Sequence, residues 1–383
     1  MSGAEAATTA ALQISSARHT SGTKPVWSES TIYHVFDRPF YTLPRYLPVD
    51  PYDPRKKEYK KSPLFQPLDL MLYRLNGRND PISTLKSLPS KEQSAQVHAR
   101  LLTLVGSQQD TGRSELAYKH KEKQYPPYTA VTDTYYEFVR SGSIIPVRGR
   151  VQNVAYNTFR YSMDVASQGP WTHTELETQA KIHDIVGIVE ATGFEGPLDY
   201  LPRDVKQALD YDADCKRVPF ILSKGSIFNP NVPTLAFVGY YEGSFWGVMD
   251  VQARVVAHAW ANGLHQSIPA AMLDTSEALA VRKAIKAKDL NVPQFWMSDH
   301  VGLVEELARV AGLRRIDAVF GEQMGPYLSA RYQGPGHNDE VWTAINEVEN
   351  ILSSSDQHRK FATAAVFRAL QGKWIIKRTL TSR

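Results

Sequence analysis

The segment Met1-Ser2-Gly3-Ala4-Glu5-Ala6-Ala7 places a serine–glycine pair directly before an alanine-rich stretch. Alanine loses the least entropy on helix formation, so a helix is predicted over residues 4–17. A glycine before a helix lets backbone amides approach a phosphate, and the helix N-terminus adds partial positive charge. We interpret the segment as the end of a phosphate-binding turn formed by Ser2 and Gly3, without its preceding strand. The alternative is a flexible start of the chain.

The next apolar stretch supports this interpretation. Residues 31–36 are β-branched and aromatic, which predicts a strand, and Asp37, Arg38 and Pro39 follow it. In a dinucleotide-binding fold the loop after the second strand contacts the adenosine ribose. An acidic residue there binds a 2′-hydroxyl, whereas an arginine accommodates a 2′-phosphate. Arg38 therefore favours NADP, and Asp37 leaves NAD open. The alternative for Arg38 is a surface arginine before a proline.

Strands and helices alternate along the rest of the chain. Helices are predicted over 64–75, 91–104, 133–139, 250–261, 275–289, 300–311 and 340–352. Strands are predicted over 143–154, 182–191 and 234–239, and 182–191 is expected to be buried. This alternation predicts an α/β fold with a mainly parallel sheet.

Composition excludes several function classes. The 383 residues suffice for two or three domains, and 42% hydrophobic with 22% charged residues is ordinary for a soluble protein. The net charge of +4 indicates no nucleic-acid partner, and the basic run 55–61 is interpreted as a solvated loop, with phosphate contact as the alternative. The single cysteine, Cys215, excludes an intrachain disulfide and fits a reducing, cytoplasmic location. No run of 18 apolar residues occurs, so no membrane span is predicted.

Four segments, in this order, resemble the flavin-containing monooxygenases in their fungal secondary-metabolism style. They are residues 1–7, 34–48, 186–194 and 235–254. The resemblance covers about residues 1–330. It implies an α/β protein with remnants of two Rossmann-like dinucleotide-binding domains and a helical C-terminal region. The parallel sheets of both domains would lack their first strands. It implies an NAD(P)-binding domain over 1–194, the C-terminal part of an FAD-binding domain over 195–265, a helical region over 266–360 and the start of an appended β domain over 361–383. The alternative for that tail is a single edge strand.

The same resemblance implies roles for particular residues. Thr192 and Gly193 would mark the return to the flavin domain, and Gly239 would end a strand that approaches the flavin. Asp250 and Gln252 would begin the last flavin-domain helix and direct amides at the isoalloxazine, and Gly243 and Gly247 would let backbone approach the ring. Substrate contact would fall on Tyr240, Tyr241, Phe245 and Trp246. The alternatives are a flexible glycine loop, a solvent-facing Gln252 and core packing of the aromatic residues.

The cofactors implied are FAD and NADP, and the partners are O2 and a small organic substrate. In this family NADPH reduces FAD, and a C4a-hydroperoxyflavin then inserts one oxygen atom into the substrate. No protein nucleophile is required, so no catalytic residue is assigned. The histidines, including His173, His258 and His265, have no ligand partners at metal spacing, so no metal site is expected.

The chain departs from the family pattern in two respects. The strand and the first two glycines of the nicotinamide fingerprint are missing before Gly3, and the fingerprint for FAD is missing as well. The chain contains no Gly-Xaa-Gly-Xaa-Xaa-Gly after a strand for the FAD pyrophosphate. The chain alone is therefore expected to bind FAD weakly or not at all. One alternative is a catalytically inactive remnant, or one that needs a second polypeptide. Another is a pyridine-nucleotide reductase, which the lone Cys215 argues against.

Overall fold

The computed structural model describes residues 3–19, 22–49, 52–53, 58–59, 64–72, 74–75, 87–105, 113–157, 160–166, 179–193, 198, 200–240, 242, 245–297, 299–336 and 338–358. Ser2, Tyr241, Gly243 and the tail 361–383 therefore lie outside the described residues. The chain divides into two compact units. The first contains the described residues of 1–65 and 95–193, and the second those of 66–94 and 194–358.

The first unit combines helices with short parallel and antiparallel strand pairs. Its helices are α1 (Gly3–Arg18), most of α3 (Lys91–Val105) and α4 (Tyr135–Arg140). Its strands are β1 (Ile32–Phe36), β2 (Phe40–Leu43), β3 (Tyr46–Val49), β4 (Tyr52–Asp53), β5 (Glu58–Tyr59), β7 (Tyr128–Val131), β8 (Ile144–Arg148), β9 (Arg150–Asn157), β10 (Arg160–Ala166) and β11 (Gln179–Ile185). Strand β6 (Leu64–Pro67) spans the division between the units.

Two parallel pairs are present among the strands that the structure describes in this unit. Strand β1 pairs with β8, so that Phe36 lies opposite Arg148, and β2 pairs with β7, so that Phe40 lies opposite Tyr128. The small strands β4 and β5 pair antiparallel. A three-stranded sheet is antiparallel, in the order β11-β10-β9. The described residues thus form a mixed α/β arrangement with short parallel pairs rather than the mainly parallel sheet that the alternation predicted.

Helix α1 has the predicted position and packs through its alanines. Ala4, Ala7 and Ala11 are buried, at the spacing that places them on one face of the helix. They join a core with residues of β2, β7, α4 and β8, among them Phe40 and Ile144. Because alanine side chains are short, this face lets the helix lie close to the strands.

The prediction of a buried strand over 182–191 is wrong for most of its length. Strand β11 ends at Ile185, and residues 186–190 are exposed and outside any strand. Within the predicted stretch, Ile182 is buried, whereas Val189 is 73% exposed. The β-branched residues favour extended backbone, but the pattern alone does not tell whether a second layer covers it.

The second unit is mainly helical. Its helices are α2 (Leu68–Leu72), α5 (Arg203–Ala208), α6 (Phe245–Asn262), α7 (Leu264–Ser267), α8 (Ser276–Lys286), α9 (His300–Val310) and α10 (Asp339–His358). Two short strands, β12 (Arg314–Arg315) and β13 (Tyr332–Gln333), pair antiparallel. Among the described helices of the chain, none has both the length and the apolar character that crossing a membrane requires.

Helices α6 and α9 form the centre of this unit. Val248, Val251 and Val255 of α6 and Val304 and Leu307 of α9 are almost fully buried in one apolar cluster. Their spacing by three and four residues places each set on a single helix face. Gly263, with a φ of 83°, directly follows α6 in a left-handed conformation that favours glycine.

Three sequence predictions are corrected in this unit and at its border. Residues 64–75 form strand β6 followed by the single-turn helix α2, not one helix. The predicted strand 234–239 is an isolated bridge between Ala236 and Phe228. Helix α6 begins at Phe245, five residues before the predicted start at Asp250. Short apolar runs do not distinguish a strand from a buried turn or helix, because their periodicity is too short to measure.

Candidate functional site

The carboxyl end of strand β1 gathers charged side chains. Asp37 and Arg38 follow the strand, and Gly149 donates its backbone N–H to the carbonyl of Phe36 at 2.8 Å. Arg150 therefore lies at the same end, where its Nη2 and Nε donate to Oδ2 of Asp37 at 2.7 and 3.1 Å. The ion pair compensates the Asp37 carboxylate beside Arg38.

The Arg38 side chain packs on the ring of Tyr128. Its Nη1 donates to the hydroxyl of Tyr128 at 2.8 Å, and the guanidinium carbon lies 4.8 Å from the centre of the Tyr128 ring. Tyr128 is held in turn, because its backbone N–H donates to the hydroxyl of Tyr118 at 2.8 Å and Tyr118 donates to the carbonyl of Pro39. A guanidinium over an aromatic face is favoured electrostatically, so the structure fixes the direction in which Arg38 points.

Gly3 begins α1 in close contact with strand β1. A Cβ at this position would lie 2.9 Å from Nε2 of His34, nearer than real Cβ atoms approach. The His34 Nδ1 is hydrogen-bonded to the Tyr135 hydroxyl at 2.7 Å. Burial lowers the pKa of His34 to about 4, so the ring is neutral near pH 7. Glycine at position 3 therefore permits the close helix–strand approach that the phosphate-turn interpretation requires.

The other predicted contacts of the first unit are exposed. Thr192 and Gly193 lie beyond the end of β11 and are exposed, and Gly193 has a φ of 99°. Their predicted role at the flavin stays a prediction.

In the second unit, Gln252 holds two backbone turns together. Its side chain is fully buried. Gly239 donates its backbone N–H to Oε1 of Gln252 at 2.9 Å, and Nε2 of Gln252 donates to the carbonyl of Gly225 at 2.8 Å. Gly225 and Gly239 both have positive φ angles, 81° and 86°. The alternative interpretation of Gln252 as solvent-facing is wrong, because its side chain satisfies two backbone groups inside the unit.

The predicted amide role of Asp250 and Gln252 requires correction. Because α6 begins at Phe245, these residues lie beyond its first turn, where backbone N–H groups bond within the helix. The carboxylate of Asp250 instead pairs with Arg254 one turn later, with Oδ2 and Nη2 3.1 Å apart. Gly247 is explained by packing, because a Cβ there would lie 2.8 Å from the Tyr327 hydroxyl.

A cavity of about 350 Å³ lies in the same unit. Gly239 and Tyr240 line it together with Phe220 and Trp296. The Phe220 and Tyr240 rings are stacked, with centroids 4.3 Å apart and planes at 27°. Burial raises the pKa of the Tyr240 phenol, which is therefore neutral at physiological pH. Tyr240 is thus the one member of the predicted aromatic loop whose side chain is described, and it faces a cavity.

Among the residues that the structure describes, no three His, Cys, Asp or Glu side chains converge as a metal site would require. Cys215 is buried and unbridged. Neither family models nor curated protein sequences give a match to this chain.

Sequence reasoning missed several residues at the carboxyl end of β1 and in the cavity of the second unit. Arg150 and Tyr128 contact Asp37 and Arg38 only because the parallel pairs bring 148 opposite 36 and 128 opposite 40. Trp296 reaches the cavity from a distant part of the chain. No motif signals such contacts, since strand register and loop packing are set by tertiary structure.

Proposed function

We propose that the chain is a flavin-dependent monooxygenase and that its first unit is a Rossmann-like domain that binds NADP(H). The observation that carries the nucleotide part is the ion pair between Asp37 and Arg150 beside Arg38. Such a pair occupies the acidic residue that would otherwise select a 2′-hydroxyl. The Arg38 guanidinium lies beside this pair, on the Tyr128 ring, and charge-assisted hydrogen bonds from guanidinium to phosphate are strong.

The pyrophosphate would lie near the start of α1. Gly3 lets the helix approach strand β1 at His34, and the unpaired amides of a first helical turn attract anions. The neutral His34 ring adds no positive charge near pH 7, so attraction there would come from the backbone. The charged residues after β1 and the close approach of α1 to β1 at Gly3 therefore both suit an NADP-type ligand.

The flavin part of the proposal rests on the resemblance. FAD would supply the oxygen activation, with O2 and a small organic molecule as substrates. The described residues do not form a cradle for it, because the Gly239 N–H and the Gln252 side-chain amide bond to each other and to Gly225.

Calorimetric titration of the purified chain with NADP⁺ and NAD⁺ tests the nucleotide part. We expect NADP⁺ to bind about tenfold more tightly, since hydrogen bonds to charged groups contribute about 1.5–3 kcal/mol and solvent weakens them here. The preference should shrink at high salt. Equal affinities, or no binding of either nucleotide, would refute the proposal. Oxygen-dependent oxidation of NADPH with added FAD tests the catalytic part separately.

The second candidate is a chain without catalytic activity, or one that requires a second polypeptide to supply the flavin. The inward hydrogen bonds of Gly239 and Gln252 favour it. Absorbance near 450 nm of the purified protein separates the two candidates. A stoichiometric flavin spectrum supports the autonomous enzyme, and its absence together with co-purification of a flavoprotein supports the second candidate.

A further inference from the structure

Aromatic side chains form part of the lining of the cavity in the second unit. Phe220 is 1% exposed and Trp296 is 8% exposed, while Tyr240 is half-buried. The Phe220 ring stacks on that of Tyr240 and also contacts the Phe237 ring, with the centroids of the two phenylalanines 4.7 Å apart. Such a lining favours a planar aromatic ligand, because stacked rings gain more than their buried area alone supplies.

A further part of the lining comes from the segment 211–219, which is fixed by the residues around it. The backbone N–H of Asp212 donates to the carbonyl of Pro219 at 2.7 Å and closes the segment on itself. Just before it, Arg282 of α8 donates both to the carbonyl and to the carboxylate of Asp210. Arg282 is buried, so these hydrogen bonds hold the start of the segment against α8.

Arg217 connects three parts of the lining. Its Nε and Nη2 donate to the two carboxylate oxygens of Glu242 at 2.9 and 2.6 Å, and Nη2 also donates to the carbonyl of Gln294 at 3.0 Å. Glu242 stands two residues after Tyr240, and Gln294 stands two residues before Trp296. One guanidinium therefore ties its own segment to the two segments that carry these aromatic residues.

The contacts just described join residues of the chain to one another and hold the lining in place. A site whose side chains are already ordered spends less of its binding free energy on ordering them. The volume of about 350 Å³ lies within the range in which proteins bind small molecules. Such sites combine apolar and aromatic lining with a few well-held polar groups, as the rings and the Arg217–Glu242 pair do here.

We propose that this cavity binds a small fused-ring aromatic compound through its ring, in contact with Phe220, Tyr240 and Trp296. The binding itself does not rest on the proposed function. If that function holds, the same class of compound is the substrate that is oxygenated, a class that the resemblance leaves open.

Titration calorimetry of the full chain with 2-naphthol, which is uncharged at neutral pH, tests the proposal. We expect one molecule to bind per chain. The saturated decahydro-2-naphthol has the same ring skeleton and hydroxyl group but cannot stack, so it should bind about threefold to tenfold more weakly. Equal affinity of the two probes would show that the cavity takes any apolar molecule and would overturn the proposal, as would no binding of 2-naphthol. Neither result depends on NADP⁺ affinity, so failure here is distinct from failure of the proposed function.

Ala213 serves to locate the ligand. It lines the cavity and is exposed, so Ala213→Trp should fill the space without disturbing the core and weaken 2-naphthol more than tenfold. The matched control is Ala257→Trp, at an exposed position of α6 that is not among the described lining residues, and it should leave the affinity unchanged. Unchanged binding to folded Ala213→Trp protein would contradict the assignment to this cavity.

Tyr240 tests the stacking itself. Tyr240→Leu should weaken 2-naphthol about threefold to tenfold and leave decahydro-2-naphthol unchanged, so that the preference for the aromatic probe shrinks by that factor. Tyr240→Phe keeps the ring and should keep the preference. An undiminished preference in folded Tyr240→Leu protein would overturn the proposed ring contact.

Discussion

Arg150 holds the carboxylate of Asp37 through two hydrogen bonds to the same oxygen, at 2.7 and 3.1 Å. The Arg150 side chain is 53% exposed and that of Asp37 is 34% exposed. An ion pair so accessible to water contributes little to stability. Its consequence is chemical, because it removes the negative charge that would repel a phosphate next to Arg38.

Arg150→Gln is therefore expected to change nucleotide preference and not stability. Asp37 would become an uncompensated carboxylate, which repels a 2′-phosphate and accepts a 2′-hydroxyl. We expect NADP⁺ affinity to fall about tenfold while NAD⁺ affinity is unchanged or improved, and the free energy of unfolding to change by less than about 1 kcal/mol. Titration calorimetry of both nucleotides measures this. Arg203→Gln, at an exposed arginine of α5, is the matched control. An equal loss for both nucleotides would show that Arg150 acts on the fold and not on the ribose site.

Gln252→Leu should destabilise the second unit. The substitution keeps the approximate size of the side chain but leaves the Gly239 N–H and the Gly225 carbonyl without their partner. Each unsatisfied buried group costs about 1–3 kcal/mol, so we expect a loss of about 2–4 kcal/mol in the free energy of unfolding. Urea denaturation followed by tryptophan fluorescence measures it. Gln266→Leu, an exposed glutamine just after α6, should stay within about 0.5 kcal/mol of wild type. A similarly small effect of Gln252→Leu would mean that water replaces the lost hydrogen bonds.

The neutral, buried His300 should make stability depend on pH. Burial lowers its pKa to about 4, against the opposing effect of Asp299. The unfolded chain gains a proton near pH 6.5, whereas the folded chain does so only near pH 4. The contribution of His300 is therefore complete above about pH 6.5 and is lost as the pH falls toward 4. His34 shifts in the same direction.

We expect the free energy of unfolding to fall by about 2 kcal/mol per such histidine between pH 7.5 and pH 5. His300→Gln should remove its share of this difference, leaving that of His34. Ser267→Ala, a half-buried position without a titratable side chain, should keep the full pH dependence. Denaturation curves at the two pH values measure the effect. If His300→Gln kept the pH dependence of the wild type, protonation of the His300 ring would not destabilise the fold.

Sequence reasoning located the elements whose signals are local. The alanine-rich stretch predicted α1, and the predictions over 91–104, 275–289 and 300–311 agree with α3, α8 and α9 to within a few residues. These helices are amphipathic or rich in good helix formers, and Asp299 caps α9 by accepting the Gly302 N–H. Helical periodicity over three turns is sufficient evidence, because it depends on the segment alone.

The rest of the fold and of the candidate site depends on contacts between residues that are distant in the sequence. The run 234–239 has strand-like composition, yet the structure gives it only the bridge to Phe228. The site shows the same limit. Arg38 could be singled out by its position after a strand, but its Tyr128 support and the neighbouring Asp37–Arg150 pair come from strand register. The cavity combines segments 70 or more residues apart, from Phe220 to Trp296, and no local pattern encodes such packing.

The buried guanidinium of Arg331 supports the segment between β12 and β13. Its side chain is fully buried, and it donates to the carbonyls of Ile316, Met324 and Pro326 at 2.9–3.0 Å and to the Asp317 carboxylate at 2.7 Å. A planar guanidinium with five donors can satisfy all of these acceptors at once, which an ammonium cannot.

Arg331→Met should therefore lower the free energy of unfolding by about 3–5 kcal/mol, the range observed when one partner of a buried ion pair is removed. Arg331→Lys should recover only part of this loss, since it restores the charge without the planar set of donors. Urea denaturation measures both variants, and Arg309→Met on the exposed side of α9 is the matched control, expected within about 0.5 kcal/mol of wild type. If Arg331→Lys were as stable as the wild type, charge alone would explain the site. If Arg331→Met were as stable, the hydrogen bonds to the three carbonyls would contribute nothing beyond what water supplies.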